Sequence, residues 1–135
     1  MSDRYESVTY PPVAFEDGRG TIVNVLAESL VHVAVITSKS GAVRANHWHP
    51  RDRQHQFVVS GRLRAVSAPV DEAGRRTGPS RELIVEAGAL LYTPPLVGHA
   101  YEFLSDAVLV NLNTVDRRPE EYEAETRPLV EPLIP

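Results

Sequence analysis

Three histidines have the residue type and spacing to form a chemical centre. His47 and His49 are separated by Trp48 in GAVRANHWHPRDRQHQFVVSG, and His99 follows in GALLYTPPLVGH. On a strand, His47 and His49 point to one face and Trp48 to the other. Three imidazoles that converge from two segments can hold a metal such as Zn, Ni, Fe or Mn. They can equally form a metal-free acid/base site near neutral pH, so the residues leave both chemistries open.

A tyrosine accompanies the third histidine. Tyr101 lies two positions after His99, so on a strand the two side chains share a face. A phenol there can act as the acid opposite a histidine base, for which His47 or His49 is the candidate. The remaining histidines, His32 and His55, are interpreted as solvent-facing or hydrogen-bonded residues without a role in the site.

Short β-strands are predicted to position these side chains. The chain has 11 prolines and 8 glycines, and the segments between them alternate or are rich in β-branched residues. The predicted strands cover 21–26, 31–37, 56–59, 63–67, 82–85, 89–93, 99–103 and 107–113. This pattern is typical of an all-β sandwich or barrel. Residues 119–126 are expected to form at most one helical turn on the surface, and 69–81 an exposed hairpin loop.

Composition excludes several classes of protein. The chain has 135 residues, a net charge of −4 and no cysteine, which rules out disulfides and thiolate metal sites. No dense Lys/Arg stripe is present, so nucleic acid is not an expected partner. The first residues lack an apolar signal-peptide core and no stretch is long enough to span a membrane, which predicts a cytoplasmic protein without membrane contact. The length suits one domain over 1–135, with a barrel core over about 20–114. An extended N-terminal strand and a Pro-rich C-terminal tail, which runs over the barrel or onto a partner subunit, are expected to flank that core.

The glycines and histidines together resemble the two cupin motifs. The first motif is matched by Gly41, His47, His49 and Gly61, with Gln54 where the family usually has Glu. The second is matched by Gly88, Pro94, Gly98 and His99, although His99 follows Gly98 directly. The resemblance implies an all-β, single-domain cupin jelly-roll β-barrel with its site in the mouth, usually as a homodimer. It implies no single activity, because this barrel hosts many chemistries.

A narrower resemblance covers most of the chain. The order of EDGRG, R-x-x-HWH, TPPLVGHAYEF, LSDAVLVNL and EEYEAET is similar to that of the sugar-nucleotide cupins. These are dTDP-4-dehydrorhamnose 3,5-epimerase, the dTDP-4-keto-6-deoxyhexose 3,4-ketoisomerases and the cupin domain of capsule-polysaccharide enzymes. The resemblance implies an isomerase or epimerase that acts on a nucleotide-linked 4-keto-6-deoxy sugar, in polysaccharide or natural-product sugar biosynthesis. The 3,4-ketoisomerases place a Gln at the position of Gln54 and require no metal.

That reaction needs a base, an acid and a group that anchors the diphosphate. His47 or His49 is the expected base and Tyr101 the opposing acid. Arginine binds phosphate through a fork of donors, and Arg19 and Arg44 are favoured because they match the family's order. The other predicted substrate-binding residues are Arg62, Arg64, Gln54 and Asn111.

The sequence leaves open both whether a metal is bound and which activity the protein has. A metal would be bound by His47, His49, His99 and Gln54. A neutral Gln at that position weakens divalent binding, which favours acid/base chemistry with no required cofactor. The alternative functions are a metal-dependent cupin oxygenase or lyase and a non-catalytic cupin that binds a small ligand.

Overall fold

Alternating apolar residues build two five-stranded antiparallel sheets, and a separate hairpin lies beside them. The structure, a computed structural model, describes residues 4–135. In the first sheet the order is β1 (Ser7–Thr9), β9 (Leu90–Thr93), β6 (Gln54–Ser60), β11 (Ala107–Asn113) and β4 (His32–Ser38). In the second sheet the order is β12 (Arg127–Pro128), β5 (Val43–Trp48), β10 (Val97–Phe103), β7 (Arg62–Pro69) and β8 (Arg81–Glu86).

The core lies between the inner faces of the two sheets. Val58 and Leu109 come from the first sheet, and Leu63, Val85 and Phe103 from the second; all five are buried in one cluster. Burial of such side chains is the main source of stability in a two-sheet fold. The predicted all-β jelly-roll architecture is confirmed.

The two-stranded hairpin is formed by β2 (Val13–Asp17) and β3 (Gly20–Val23). Three of its apolar residues, Val13, Phe15 and Ile22, are more than half exposed. β4 is the outer strand of the first sheet, and Val33 and Val35 on it are exposed as well. Free strand edges and exposed apolar side chains are features that partner chains usually cover.

Most predicted strands are present with shifted ends. The strand over 107–113 is observed with its predicted bounds, whereas the one predicted over 21–26 ends at Val23. β1 and β2 lie in the segment for which only an extended N-terminal strand without bounds was expected, because three or five residues beside prolines give little periodic signal. The single helical turn is confirmed as α1 (Tyr122–Glu125), but Glu125 in it is buried rather than on the surface.

The C-terminal tail runs over the barrel. β12 adds to the edge of the second sheet beside β5, and Ile134 is buried against Val66 and Ala100. The Asn46 amide fixes the tail, since its Oδ1 accepts from the backbone N–H of Leu133 and Ile134 and its Nδ2 donates to the Ile134 carbonyl. Across residues 4–135, no helix has the length and apolar character to cross a membrane.

Candidate functional site

A distortion in β5 aims the first histidine. Ala45 and Asn46 have positive φ angles of 71° and 58°, and the pairing of β5 with β10 shifts register between His99 and Ala100. Irregularities of this kind re-aim a side chain next to a strand ladder. His47 thereby lies directly opposite His99 in the antiparallel pair.

The three imidazoles form one cluster. The ring centroid of His47 lies 4.8 Å from that of His49 and 4.7 Å from that of His99, and the centroids of His49 and His99 are 5.1 Å apart. One ring nitrogen from each comes within 4.8 Å of the others. His49 and His99 are fully buried, whereas His47 is half-buried and lines the cavity in front of them. The predicted convergence of the three side chains is therefore present.

The hydrogen bonds of the two buried rings fix their tautomers. Nδ1 of His49 is 2.8 Å from the Glu125 carbonyl oxygen, and Nδ1 of His99 is 3.3 Å from that of Val97. Because a carbonyl only accepts, Nδ1 carries the hydrogen in both neutral rings. Nε2 of each ring then bears a lone pair, and neither Nε2 has a partner among the described residues. This is the arrangement in which protein histidines bind metals.

Burial keeps the cluster uncharged at neutral pH. Burial, with the nearby His99 and Arg117, lowers the pKa of His47 to about 2. Burial lowers the pKa of His99 to about 4 and holds that of His49 well below its usual range. Neutral imidazole is the form that acts as a base and the form that binds a metal.

Tyr101 is held by a buried carboxyl group that sequence reasoning missed. Its ring centroid is 5.4 Å from that of His99, as their shared face predicts. The Tyr101 hydroxyl donates to Oε2 of Glu6 at 2.7 Å, and the Thr93 hydroxyl donates to the same oxygen at 2.6 Å. Burial raises the pKa of Glu6 to about 8 and that of Tyr101 well above its usual range. The phenol therefore keeps its proton at neutral pH.

A second missed group, Arg117, reaches the site from the segment after β11. Its Nη1 donates to Oδ2 of Asp52 at 3.1 Å, to Oε1 of Gln54 at 2.7 Å and to Oδ1 of Asn113 at 3.1 Å. Asp52 is fully buried and also accepts from the Thr114 backbone N–H. Asp52 stands between Arg51 and Arg53 in the sequence, and no sequence signal links it to Arg117.

His47, Tyr101 and Arg117 line one cavity of about 480 Å³. The polar side chains that line it are His32, Arg44, Asn46, His47, Gln54, Gln56, Tyr101, Asn111, Arg117 and Tyr122. No Asp or Glu of residues 4–135 lines it. His32 is hydrogen-bonded, as expected, with its Nδ1 3.2 Å from Nδ2 of Asn113, yet it also faces the cavity. His55 is buried outside the cavity and stacks on Tyr92.

The predicted arginines are divided between the cavity and the outer surface. Arg44 lines the cavity and donates to Oγ of Ser38 and to the Thr37 carbonyl. Arg64 lies on the outer face of β7, where it pairs with Glu82 and Glu102.

Arg62 and Arg19 lie outside the cavity as well. Arg62, the first residue of β7, is exposed and pairs with Glu86 on β8. Arg19 is at the tip of the β2–β3 hairpin, where its side chain is 86% exposed and pairs with Asp17. In this chain, therefore, only Arg44 of the four predicted phosphate ligands lies with the histidines.

Part of the predicted metal-ligand set fits a metal ion. The unpartnered Nε2 atoms of His49 and His99, together with His47, suit a divalent ion held by three imidazoles. The Gln54 oxygen does not fit equally well, because it accepts from the positively charged Arg117.

Comparison with known proteins identifies the family. The profile of the Cupin family matches residues 16–119. The chain belongs to the cupin family. Cupins of known activity include a curated relative, oxalate decarboxylase OxdC of Bacillus subtilis (strain 168), which is 30% identical over 111 residues. That match covers 80% of this chain but 27% of the relative, so this cupin spans about a quarter of the length of the enzyme it matches.

Solved structures share the fold of this cupin. dTDP-4-dehydrorhamnose 3,5-epimerase from Sulfolobus tokodaii superposes with a TM-score of 0.72 at 20% identity, over 90% of this chain and 75% of that chain. A mutant 3,4-ketoisomerase from Thermoanaerobacterium thermosaccharolyticum, in complex with TDP-4-keto-6-deoxyglucose, superposes with a TM-score of 0.71 at 14% identity, over 90% and 85% of the two chains. The similarity to sugar-nucleotide cupins is thus confirmed at the level of the fold.

Proposed function

We propose that this cupin is an isomerase or epimerase that acts on a nucleotide-linked 4-keto-6-deoxy sugar by proton transfer through an enol(ate). The observation that carries the proposal is that His47 and Tyr101 lie together on the wall of one cavity. The fold likeness to 3,5-epimerases and 3,4-ketoisomerases supports it.

His47 is the proposed base. A hydrogen on the carbon next to a ketone is acidic, and its removal gives an enolate. His47 is the histidine of the cluster that lines the cavity, and its ring is uncharged at neutral pH, so a ring nitrogen can accept that proton. The resulting imidazolium can return the proton, while His49 is held by the Glu125 carbonyl behind it. His49 therefore has a supporting position.

Tyr101 is the proposed acid on the other side of the reacting carbon. Its phenol is neutral because burial and Glu6 raise its pKa. Donation of a proton to carbon from the face opposite the base inverts that carbon centre. For the ketone to move from C4 to C3, the C4 oxygen takes a proton to give an enediol, the C3 hydroxyl then loses its proton and the C4 carbon gains one. Which of these follows depends on how the sugar lies between His47 and Tyr101.

The cavity wall also offers partners for sugar hydroxyls. Oε1 of Gln56 and Oδ1 of Asn111 are buried without a hydrogen-bond partner among the described residues. The two residues are directly paired on β6 and β11. Adjacent unpaired acceptors bind ligand hydroxyl groups well, since a buried acceptor left unpaired costs about 1–3 kcal/mol. Arg44 at the same cavity is the proposed contact for the diphosphate.

The proposal extends to the assembly and to the cellular role. We place the reaction in polysaccharide or natural-product sugar biosynthesis in the cytoplasm. A homodimer is supported by the free edge of β4 with exposed Val33 and Val35, and by exposed Phe15 and Ile22 on the hairpin. Association through these surfaces would remove apolar area from water.

Deuterium exchange tests the proposed reaction. The protein is incubated with dTDP-4-keto-6-deoxyglucose in deuterated water, and deuterium at the ring carbons is followed by NMR and mass spectrometry. We expect uptake with wild type and a loss of about 100-fold or more in His47→Gln and Tyr101→Phe. His55→Gln, a buried histidine outside the cavity, is the matched control and should keep the wild-type rate. Absence of exchange across several 4-keto sugars would overturn the proposal.

The second candidate is a metal-dependent oxygenase or lyase, favoured by the unpartnered Nε2 atoms of His49 and His99. His47, His49 and His99 would hold the ion, which supplies Lewis-acid or redox chemistry when bound. The partial match to oxalate decarboxylase supports this candidate. Activity lost on chelation and restored by one specific ion would favour it over metal-free proton transfer.

A further inference from the structure

Arg117 is fixed at one nitrogen of its guanidinium. Its side chain is 7% exposed, and the hydrogen bonds to Asp52, Gln54 and Asn113 all leave from Nη1. Nε is buried and has no hydrogen-bond partner within residues 4–135. A guanidinium has five donor hydrogens, so the anchoring of Nη1 leaves donor capacity unused.

The anchor makes the guanidinium rigid. Asp52 is fully buried, and besides Arg117 it binds the backbone N–H and the hydroxyl of Thr114. Gln54 and Asn113 lie on neighbouring strands and hold the same nitrogen from the side. A buried pair with this many partners keeps one geometry.

The charge of Arg117 acts on the cavity. Arg117 lines the same cavity as His47, and no carboxylate of the described residues lines it. An oxygen that becomes negative inside this cavity therefore meets a fixed positive charge.

We propose that Arg117 is the oxyanion-binding group of the cavity, which receives the ketone oxygen as that oxygen becomes an enolate. The inference rests on the proposed function for its substrate. In the step, His47 takes the proton from the carbon beside the ketone, and the C–H electron pair forms the C=C bond. The C=O π pair moves to the oxygen, whose new charge is stabilised by Arg117. Return of the proton from His47 reverses these movements.

Of the two arginines that line the cavity, Arg117 suits the oxyanion-binding role better than Arg44. Arg44 is exposed and donates to Ser38 and Thr37 near the rim, which suits a permanently charged phosphate. Arg117 is buried and held before the ligand arrives. Preorganised donors in a water-poor site are most effective where charge develops during the reaction.

Binding of oxalate tests the oxyanion site without the sugar. Oxalate is a small anion whose two carboxylates resemble the coplanar oxygens of an enediolate. Titration calorimetry in the presence of a metal chelator measures its affinity for wild type and for Asp52→Asn/Arg117→Gln, a double variant that leaves no unpaired buried charge. Arg118→Gln is the matched control, because Arg118 is exposed and pairs with Asp116.

We expect the double variant to bind oxalate at least about 10-fold more weakly than wild type. Arg118→Gln should bind within about 3-fold of wild type, because it keeps both Arg117 and its anchor Asp52. Thermal melting checks that each variant is folded. Absence of oxalate binding to wild type, or equal binding to the double variant, would overturn the inference.

Kinetics with the sugar nucleotide separate this inference from the proposed function. If Arg117 stabilises the enolate, the double variant should lose about 100-fold or more in kcat with a smaller change in KM, and added guanidinium should restore part of it. If wild type exchanges deuterium and the double variant keeps the same kcat, the role of Arg117 is overturned but the proposed function is not. A third outcome is oxalate binding that depends on Arg117 while wild type shows no deuterium exchange with the sugar nucleotide. That result supports the oxyanion site and overturns the proposed sugar reaction.

Discussion

Arg117 donates from Nη1 to Oε1 of Gln54 at 2.7 Å, so a fixed positive charge lies against the side chain at the fourth position of the cupin ligand set. A metal at the three histidines would have to share this region with the guanidinium. Repulsion between like charges and the engaged Gln54 oxygen both oppose a divalent ion. The three imidazoles favour such an ion, so the balance depends on the charge at position 54.

A carboxylate in place of Gln54 should change that balance. We expect Gln54→Glu to bind Co²⁺ at least about 10-fold more tightly than wild type, because the added negative charge attracts the ion and offsets Arg117. The visible absorption of tetrahedral Co²⁺ during a titration measures the affinity. Gln56→Glu, two residues along the same strand, is the control for a general gain of charge in the cavity. Equal Co²⁺ affinity of wild type and Gln54→Glu would contradict the argument.

The histidine centre could be predicted because its signal is local. His47 and His49 share a face by strand alternation, and His99 and Tyr101 do so by the same rule. The structure brings His47, His99 and Tyr101 together as expected. A short-range pattern was sufficient because the antiparallel pairing of β5 with β10 places His47 directly opposite His99.

The charged groups could not be predicted in the same way. Arg117 and Asp52 are far apart in the sequence and meet only when the sheet is formed, so neither has a periodic signal. For Arg62 and Arg64, the alternation of side chains along the strand was sufficient to predict that they face outward. Leu63 and Ala65 between and after them are buried in the core, so the arginines must face outward. The residue type favoured a phosphate ligand, whereas the strand pattern favoured the surface.

The buried carboxyl of Glu6 should make stability depend on pH. Burial raises its pKa from the ordinary value of 4.5 to about 8. Between these values the unfolded chain is ionised there while the native carboxyl keeps its proton, so the native state binds more protons. Stability from this group is therefore present below about pH 4.5 and lost as pH rises to about 8, by about 1.4 kcal/mol per pH unit.

Glu6→Gln removes this ionisation and keeps an oxygen that accepts from Tyr101 and Thr93. We expect the variant to gain stability over wild type as pH rises from 5 to 8, by up to about 1.4 kcal/mol per unit. Urea unfolding at several pH values gives the difference. Glu123→Gln, an exposed change of the same kind, should show no such trend. A Glu6→Gln difference that is constant with pH would contradict the assignment of a neutral native Glu6.

The turn after β6 depends on a glycine for two separate reasons. Gly61 has a φ of +92°, and a Cβ there would lie 2.4 Å from the Asp106 carbonyl oxygen and 2.6 Å from Cβ of Ala107. Gly88 has nearly the same φ, +91°, but nothing within 4 Å of a Cβ. The two positions therefore separate backbone strain from close packing.

We expect Gly88→Ala to cost about 1–2 kcal/mol of unfolding free energy, because alanine is strained at that φ. Gly61→Ala should cost about 1–3 kcal/mol more, since the Asp106 carbonyl and the Ala107 Cα are backbone atoms, and the Ala107 Cβ is attached to that backbone, so none of them moves aside cheaply. Urea unfolding of both variants measures the difference. Equal losses of unfolding free energy at the two glycines would mean that the turn before β7 shifts to make room for the extra methyl group. The close packing of Gly61 against β11 would then not hold β6, the strand that carries Gln54 and Gln56, in place.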